Sequence, residues 1–381
     1  MNYTIKLSRG GMQNMQNNHF FSSTVRVGPQ QYICEEGVLE SLPDHLRQLD
    51  SSNILIIHGK ESWKKARNYL KNIYRSNFSI HEFLFSGECT ETSIDQLKEL
   101  IMESGVDTVI GVGGGKIMDA VKYAAYLADR RPFILIPTLA SNCAPWTPVS
   151  VLYHADGSFD RLDVLPAQAS LLLVEPRLII DAPREYFIAG MADTLAKWYE
   201  SEEILAQSVF KESPILTMAR AAAKLCQTTI LEKGQQALAD LEQGRLSEEF
   251  RSVSEVIISI SGMVGGLGDD LARTTIAHEI HDAVTIYPES HQFLHGHKVG
   301  YGILVQLAVE NKWNEITKLQ SFYRSLGIPT SLFDMGLSHL TESEIDFIAI
   351  QASKPELPVH HLPYPVNTAI IASAIHKLEA F

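Results

Sequence analysis

The chain has 381 residues, of which 45% are hydrophobic, and a formal net charge of −13 at pH 7. This length is sufficient for two domains, because single hydrophobic cores stop growing at roughly 250–300 residues. The acidic balance argues against nucleic acid as the main partner, since a protein that neutralises phosphates needs a basic face. No run of about 18 apolar residues is present, so we expect no membrane span.

Two further features concern the cellular location. The four cysteines are scattered without a C-x-x-C pair, which is typical of a reduced protein of the cytoplasm. Residues 1–22 carry Asn, Gln and Gly and lack the apolar stretch and the small-residue cleavage site of a signal peptide. We expect these residues to form a tail that is either disordered or was added for expression.

The pattern of the elements divides the remaining chain in two. From 23 to 183, short β-branched runs alternate with amphipathic helical segments, which predicts an α/β domain with a parallel sheet. From 184 to 381, helical periodicity predicts an all-α domain. In chain order we predict strands at 53–57, 78–85, 108–112, 133–137, 149–153, 159–164, 171–174 and 178–180, and helices at 63–74, 93–103, 116–127, 214–231, 247–260, 269–284 and 299–312.

A glycine-rich turn follows the strand predicted at 108–112. Gly113, Gly114 and Gly115 precede Lys116 and open a predicted helix, where backbone amides bind phosphate. Lys116 replaces the third Gly of G-x-G-x-x-G, and Ile117 replaces the Ser/Thr of a Walker motif. A plain tight turn is one interpretation. Three consecutive glycines favour a pyrophosphate cradle, because only close backbone approach explains them well.

A second group of residues could bind a metal. Asp193, within Gly190-Met191-Ala192-Asp193, lies in the first turns of a further helix that we predict in the stretch 190–199, and His278 and His295 lie far downstream. One carboxylate and two imidazoles, with room for a further ligand, are the donors of a catalytic zinc or ferrous site. The fold would have to bring these three residues together.

Four stretches together resemble the iron-containing alcohol dehydrogenase superfamily, and within it the glycerol dehydrogenase branch. They are Gly113-Gly114-Gly115-Lys116 with Asp119, Pro137-Thr138-Leu139-Ala140-Ser141, Gly190-Met191-Ala192-Asp193, and His278 with His295-Gly296-x-x-Val299. The resemblance covers residues 25–310. It implies an N-terminal dinucleotide-binding domain with a Rossmann-like parallel sheet, an all-α C-terminal domain, and an active site in the cleft between them, in a dehydroquinate synthase-like fold. It also implies a homo-oligomer.

The resemblance further implies the cofactors and the residues that bind them. Asp193, His278 and His295 would hold one divalent metal, zinc or iron, and NAD(P) would be the hydride carrier. Gly114, Gly115 and Lys116 match the positions on the cofactor pyrophosphate, and the nicotinamide side is matched by Thr138, Ser141, Thr147, Val149 and Tyr153. His281 could relay a proton, or it could support a metal ligand.

Cofactor preference can be predicted from the end of the second strand of such a domain. An acidic residue there accepts the ribose hydroxyls of NAD and repels the 2′-phosphate of NADP. The chain has His58-Gly59-Lys60 at this place, with no acid and one lysine. We therefore expect Gly59 and Lys60 to accept NADPH, and NADPH could be preferred.

Cys143 is the main departure from glycerol dehydrogenases, which carry at this place an Asp that binds a polyol hydroxyl. Loss of that carboxylate disfavours a polyol and removes repulsion against an anionic substrate. Together with Trp146-Thr147-Pro148, residues 262–269 and His361-Leu362-Pro363, it makes the chain look more like the hydroxycarboxylate dehydrogenases, which interconvert 2-oxo acids and 2-hydroxy acids. Alternatively, Cys143 only fills space, and the enzyme is a glycerol dehydrogenase or a reductase of small aldehydes or ketones.

Other classes of protein are less consistent with the sequence. A ferrous oxygenase would use an H-x-D motif, but His154-Ala155-Asp156 falls in a predicted hairpin turn. A zinc peptidase would need H-E-x-x-H, which the stretch from His278 to Asp282 misses by one residue. A cyclase-lyase of the related fold would need a basic cluster near the three ligands. A non-catalytic NAD sensor remains a remote alternative, and metal content would distinguish it from an enzyme.

Overall fold

The structure, a computed structural model, describes residues 24–381. The tail predicted for residues 1–22 lies outside this range. Six strands form an all-parallel sheet: β1 (Tyr32–Cys34), β2 (Asn53–His58), β3 (Ser79–Leu84), β4 (Thr108–Gly113), β5 (Phe133–Pro137) and β8 (Leu171–Val174). Across the sheet their order is β1-β8-β5-β4-β2-β3. Two further strands, β6 (Val149–Tyr153) and β7 (Phe159–Val164), form an antiparallel hairpin.

Helices connect the strands and then make up the rest of the chain. Those of the sheet-containing part are α1 (Leu42–Gln48), α2 (Lys60–Ala66), α3 (Lys71–Tyr74), α4 (Glu91–Ser104), α5 (Gly115–Leu127) and α6 (Pro176–Ile179). Those that follow are α7 (Arg184–Leu205), α8 (Pro214–Glu242), α9 (Glu248–Glu255), α10 (Ser261–Gly268), α11 (Ile276–Val284), α12 (His295–Val309), α13 (Trp313–Leu326), α14 (Glu342–Gln351) and α15 (Thr368–Glu379), with a π-helical segment, Val256–Ile260, between α9 and α10.

The central strands are apolar on both faces, as expected for a parallel sheet covered by helices. Along β2, Ile54 and Ile56 face a core under α1–α3, whereas Leu55 and Ile57 face a larger core that continues into the helices after residue 183. This alternation follows from the two-residue period of a strand. The domain boundary near residue 183 stays a prediction, because the larger core is continuous across it.

Three sequence expectations need correction. Residues 178–180 are not a strand, because Pro176 begins the short helix α6 and the Glu175 side chain caps it by accepting from Arg177 N. The helix predicted at 63–74 is two short helices, α2 and α3. The helix predicted at 269–284 begins with a separate 3₁₀ turn, Asp269–Leu271, before α11.

One stretch of the described residues, Glu248–Leu271, is long and apolar enough to cross a membrane by length and composition. In the structure, 72% of its most apolar window is buried inside the protein, and its helices pack against α8. This burial is what the core helix of a globular protein shows.

Candidate metal and cofactor site

A cleft of about 670 Å³ opens where β4 and β5 end, and α7, α10, α11 and α12 form its other side. Because Gly113 at the end of β4 pairs with Pro137 at the end of β5, the glycine turn and the loop after β5 meet at this edge of the sheet. The site residues predicted from the sequence that line the cleft are Gly114, Gly115, Lys116, Ser141, Cys143, Thr147, Val149, Tyr153, Asp193, His278, His281 and His295.

Three predicted cofactor residues do not line the cleft. Thr138 is buried beside the glycine turn, where its backbone N–H donates to Gly113 O over 2.9 Å. Gly59 precedes α2 and packs near Ile117, and Lys60 is the exposed first residue of α2. Thr138 and Gly59 therefore border the region of the glycine turn, and Lys60 follows Gly59 on the protein surface; none of the three lines the cleft.

Two glycines of the motifs allow the helices to approach closely enough to build the site. A Cβ on Gly190 of α7 would lie 2.4 Å from Ala140 O, so α7 touches the loop after β5. A Cβ on Gly296 of α12 would lie 1.8 Å from Ala189 O, so the start of α12 touches α7. Only glycine permits these contacts. They place His295, the first residue of α12, next to the middle of α7.

The fold brings the three predicted metal ligands together. Nε2 of His278 and Nε2 of His295 each lie 3.3 Å from Asp193 Oδ1, and the candidate ligand atoms all lie within 4.8 Å of one another. Asp193 is 2% exposed, and its Oδ1 makes no hydrogen bond within residues 24–381. A buried carboxylate oxygen without a donor is costly. A divalent cation between the carboxylate and the two imidazoles would remove that cost, so these residues fit a metal.

Glu200, two helical turns after Asp193 on α7, supports the ligand His278. Glu200 is 2% exposed; its Oε2 lies 2.5 Å from His278 Nδ1, and its Oε1 accepts from Thr275 N (2.7 Å) and His278 N (3.0 Å). In the neutral ring of His278, the Nδ1 proton is directed at Glu200 and the lone pair of Nε2 faces Asp193. Carboxylates of this kind orient metal-bound histidines and raise their basicity.

His281 supports the other histidine. Its Nε2 lies 2.9 Å from His295 Nδ1, and its Nδ1 lies 2.7 Å from Asp282 Oδ1. If His295 binds a metal through Nε2, its Nδ1–H donates to His281, and the Nδ1–H of His281 donates to Asp282. Both ring nitrogens of His281 are then occupied. This arrangement favours the supporting role over the proton relay.

Burial and nearby charges together shift the pKa values of the three ligands in different directions. Burial would raise the pKa of Asp193, but Lys197 and the two histidines outweigh burial and hold it well below its usual range. Burial would lower the pKa of His278, but Glu200 dominates and raises it to about 9. Burial lowers the pKa of His295. A metal must therefore displace a proton from His278, whereas His295 is ready to bind.

Opposite the ligands, the N-terminus of α5 faces the cleft. Among residues 24–381, no side chain caps this terminus, so its first backbone N–H groups are available to an anion. A Cβ on Gly114 would lie 2.8 Å from Leu139, which shows how tightly the turn packs. Lys116 is exposed and forms an ion pair with Glu88. The turn thus presents uncapped backbone N–H groups to the cleft, and phosphate binding there stays a prediction.

Lys122 is a further residue that sequence reasoning missed. It is 1% exposed, and its Nζ lies 2.8 Å from Asp119 Oδ1 and donates to Ala144 O (2.7 Å), Thr147 O (3.1 Å) and Val149 O. The buried ammonium thereby ties the loop after β5, which carries Cys143, to α5. The i,i+3 spacing of Asp119 and Lys122 was a visible signal for an ion pair, but the three carbonyls were not.

Comparison with known proteins agrees with this geometry. Residues 29–176 match the family described as iron-containing alcohol dehydrogenase. The chain is 35% identical over 361 residues to hydroxycarboxylate dehydrogenase A of Escherichia coli K12, covering 94% of this chain and 98% of that protein. It is 29% identical over 368 residues to a glycerol dehydrogenase of Thermotoga maritima, covering 94% and 97%. The crystal structure of a probable glycerol dehydrogenase from Sinorhizobium meliloti 1021 has a TM-score of 0.84 at 28% identity, covering 94% and 99%.

The parallel sheet, the cleft and the Asp/His/His cluster, taken with these relatives, define a metal-dependent oxidoreductase. The chain belongs to the iron-containing alcohol dehydrogenase family, whose members use NAD(P) and a divalent metal. The predicted family and the predicted fold class, a parallel α/β part followed by helices, are both confirmed.

Proposed function

We propose that this protein interconverts a small 2-oxo acid and the corresponding 2-hydroxy acid. In the reductive direction, NAD(P)H, a proton and the 2-oxo acid give NAD(P)⁺ and the 2-hydroxy acid. The observation that carries this proposal is the position of Cys143. It lines the cleft beside the three candidate ligands, and Lys197 and Asp193 are close enough to shift its pKa in opposite directions.

Cys143 is uncharged at neutral pH, because burial raises the pKa of its thiol. An uncharged group at this place offers no carboxylate to bind a polyol hydroxyl and none to repel an anion. The relative named hydroxycarboxylate dehydrogenase A supports the same substrate class, whereas the relatives named glycerol dehydrogenase support the alternative.

In this proposal, Asp193, His278 and His295 hold the metal, either zinc or iron. A divalent metal in this site supplies a Lewis acid that polarises the substrate carbonyl, and a bound nicotinamide supplies the hydride. Glu200 and His281 fix the ring orientation of the two histidines, so that both Nε2 atoms point at one position. Asp193 is 2% exposed and His278 is 8% exposed, and burial strengthens each electrostatic contact at that position.

The cofactor side of the cleft is formed by other residues of the chain. The N-terminus of α5, with Gly114, Gly115 and Lys116, would bind the pyrophosphate. For this, Lys116 would exchange its ion pair with Glu88 for the phosphate. The nicotinamide would be positioned by Ser141, Thr147, Val149 and Tyr153. Thr138, which is buried beside the glycine turn, would support this wall of the cleft.

We infer that NADPH is accepted, because His58-Gly59-Lys60, which ends β2 and begins α2, contains no acid and one lysine. The carboxylate that lies near this place, Glu82 of β3, is 3.9 Å from His58 Nε2. The next acid, Glu61, is engaged by Lys64 at 2.8 Å. Replacing Lys60 by Glu should selectively raise the Michaelis constant for NADPH, since a carboxylate repels the 2′-phosphate. An equal effect on NADH and NADPH would refute this placement of Lys60.

The substrate class is tested by NADH and NADPH oxidation with metal-reconstituted protein. The panel holds 2-oxobutanoate, 2-oxoglutarate, glyceraldehyde, dihydroxyacetone and methylglyoxal. We expect the 2-oxo acids to react with the highest kcat/KM. We also expect Cys143→Asp to lower kcat/KM for the 2-oxo acids by at least about tenfold, because like charges in a buried cleft repel strongly. Cys143→Ser is the matched neutral control. Preference for dihydroxyacetone in the wild type would make the protein a glycerol dehydrogenase.

Two further inferences about the protein as a whole follow from the family. We infer a cytoplasmic location, which is supported by the four cysteines, all of which are free thiols. We also infer a homo-oligomer, which size-exclusion chromatography with light scattering would test. A monomeric mass in that measurement would refute the second inference.

A further inference from the structure

We propose that Lys197 binds the carboxylate group of the 2-oxo acid substrate through its Nζ. This inference rests on the proposed function and names the residue that determines its substrate class. None of the residues predicted from the sequence was assigned this role.

Lys197 lies on α7 one helical turn after Asp193, so the two side chains share one face of the helix. Lys197 is only 7% exposed, and it lines the cleft. Within residues 24–381, its Nζ makes no hydrogen bond and forms no ion pair. A buried ammonium is normally paired, because leaving it unpaired is costly. Lys197 is therefore a buried cation, next to the metal ligands, that still has donors to offer.

The acids near Lys197 have other partners. Asp193 belongs to the metal site, and Glu200 is used by the His278 ring and by two backbone N–H groups. Cys143 is neutral. An Asp at position 143 would be a counter-ion for Lys197. Because Cys143 is neutral, the positive charge of Lys197 stays available to a ligand. With a divalent metal bound, the charges of the metal, Asp193, Glu200 and Lys197 sum to a net positive site, which favours an anionic substrate.

The other cations of the cleft are less suited to this role. Lys116 pairs with Glu88 at the glycine turn. Arg273 is held by Asp269 Oδ1 through Nε (3.2 Å) and Nη2 (2.8 Å). The titratable groups that act on Lys298 are Asp282 and, at the glycine turn, Lys116. Those that act on Lys197 include Asp193, Cys143 and Glu200, so Lys197 is the cation beside Asp193 and Cys143.

The chemistry of a 2-oxo acid matches this arrangement. Its carbonyl and its carboxylate are on adjacent carbons, so one molecule can direct the carbonyl oxygen at the three ligands and the carboxylate at the neighbouring Lys197. Two contacts fix the orientation of the carbonyl carbon toward the hydride donor, whereas a neutral ketone would be held by one. Lys197 is thus a specificity determinant for the reaction.

The test compares 2-oxobutanoate with 2,3-pentanedione, in which an acetyl group replaces the carboxylate. We expect Lys197→Met to raise KM for 2-oxobutanoate roughly 10- to 150-fold, the range for a hydrogen bond to a charged group. KM for the dione should change little. Lys197→Arg should restore part of the preference. The matched control is Lys224→Met, which removes a lysine that lies over the Trp198 ring, outside the cleft.

A binding measurement makes the test independent of turnover. Oxamate resembles a 2-oxo acid but is not reduced, and its dissociation constant for the metal-reconstituted protein with NADH can be measured by calorimetry. We expect the same roughly 10- to 150-fold weakening in Lys197→Met. Lys197→Gln provides a second neutral variant if Lys197→Met does not retain metal.

The outcomes separate the two proposals. If wild-type protein reduces 2-oxo acids but both neutral variants keep the wild-type preference for 2-oxobutanoate, the assignment of Lys197 is overturned. Loss of the preference in Lys298→Met or in Arg273→Met, with Lys197→Met unaffected, overturns it as well and transfers the role to the residue that was replaced. If wild-type protein neither reduces 2-oxo acids nor binds oxamate, the proposed function itself has failed.

Discussion

Glu200 offers a sharp test of how the protein holds its metal, because its carboxylate contacts His278 without being a ligand itself. Glu200→Gln keeps the size of the side chain and one acceptor oxygen for the backbone N–H groups of Thr275 and His278. The NH₂ group of Gln would then face the Nδ1–H of His278, so that two hydrogen-bond donors meet. We expect the intrinsic metal affinity to fall about 10- to 100-fold, or roughly 1.4–2.8 kcal/mol.

The pH at which this loss is measured matters, since Glu200 also raises the pKa of His278 to about 9. A metal must displace that proton, so wild-type affinity should rise about tenfold for each pH unit and level off above pH about 9. In Glu200→Gln the pKa of His278 should fall, which weakens the competition from the proton. The variant should therefore show a flatter pH dependence, and its full loss of affinity should appear only above pH about 9.

The assay is a zinc titration of the apo-protein against a chelating indicator at several pH values. Glu202→Gln, on the same helix but ion-paired with Arg220 at 2.7 Å, is the matched control. A Glu200→Gln variant with wild-type affinity at high pH and a wild-type slope below it would refute the role of Glu200.

Two further predictions concern the packing that builds the site. Gly296→Ala should lower the free energy of unfolding by about 1–3 kcal/mol and weaken zinc binding, because the new Cβ would displace α12 from Ala189 O. An unchanged melting temperature and an unchanged zinc affinity would contradict this contact. Lys122→Met should destabilise the protein by about 3–5 kcal/mol in urea unfolding, since it leaves Asp119 buried without a counter-ion. The double variant Lys122→Met/Asp119→Leu removes both charges and should recover part of the loss; no recovery would contradict the explanation.

Local sequence was sufficient to predict much of the sheet. The strands β2, β4 and β5 are continuous apolar runs bounded by turns, which a parallel sheet requires. The strand predicted at 178–180 is wrong, because periodicity cannot separate a three-residue strand from a buried helical turn. Residues 176–179 form a helix because Pro176 begins it and the Glu175 side chain caps it.

The candidate ligands could be predicted for a different reason. Asp193 and His295 lie in glycine-containing motifs whose glycines, as the structure shows, make the helix contacts that build the site. Glu200 and Lys197 carry no such signal. Their roles depend on which face of α7 is buried, and α7 is buried nearly all round. Lys197 and Glu200 follow Asp193 by four and seven residues, a spacing that places both on the same face of α7 as Asp193.

The metal content of the purified protein tests the central claim most directly. Wild type and Asp193→Ala are loaded with Zn²⁺, desalted and analysed for metal per chain, with circular dichroism to compare their folds. The account predicts about one zinc per wild-type chain and almost none in an equally folded Asp193→Ala variant. Equal zinc content in the two proteins would contradict the assignment of Asp193, His278 and His295 as the metal site.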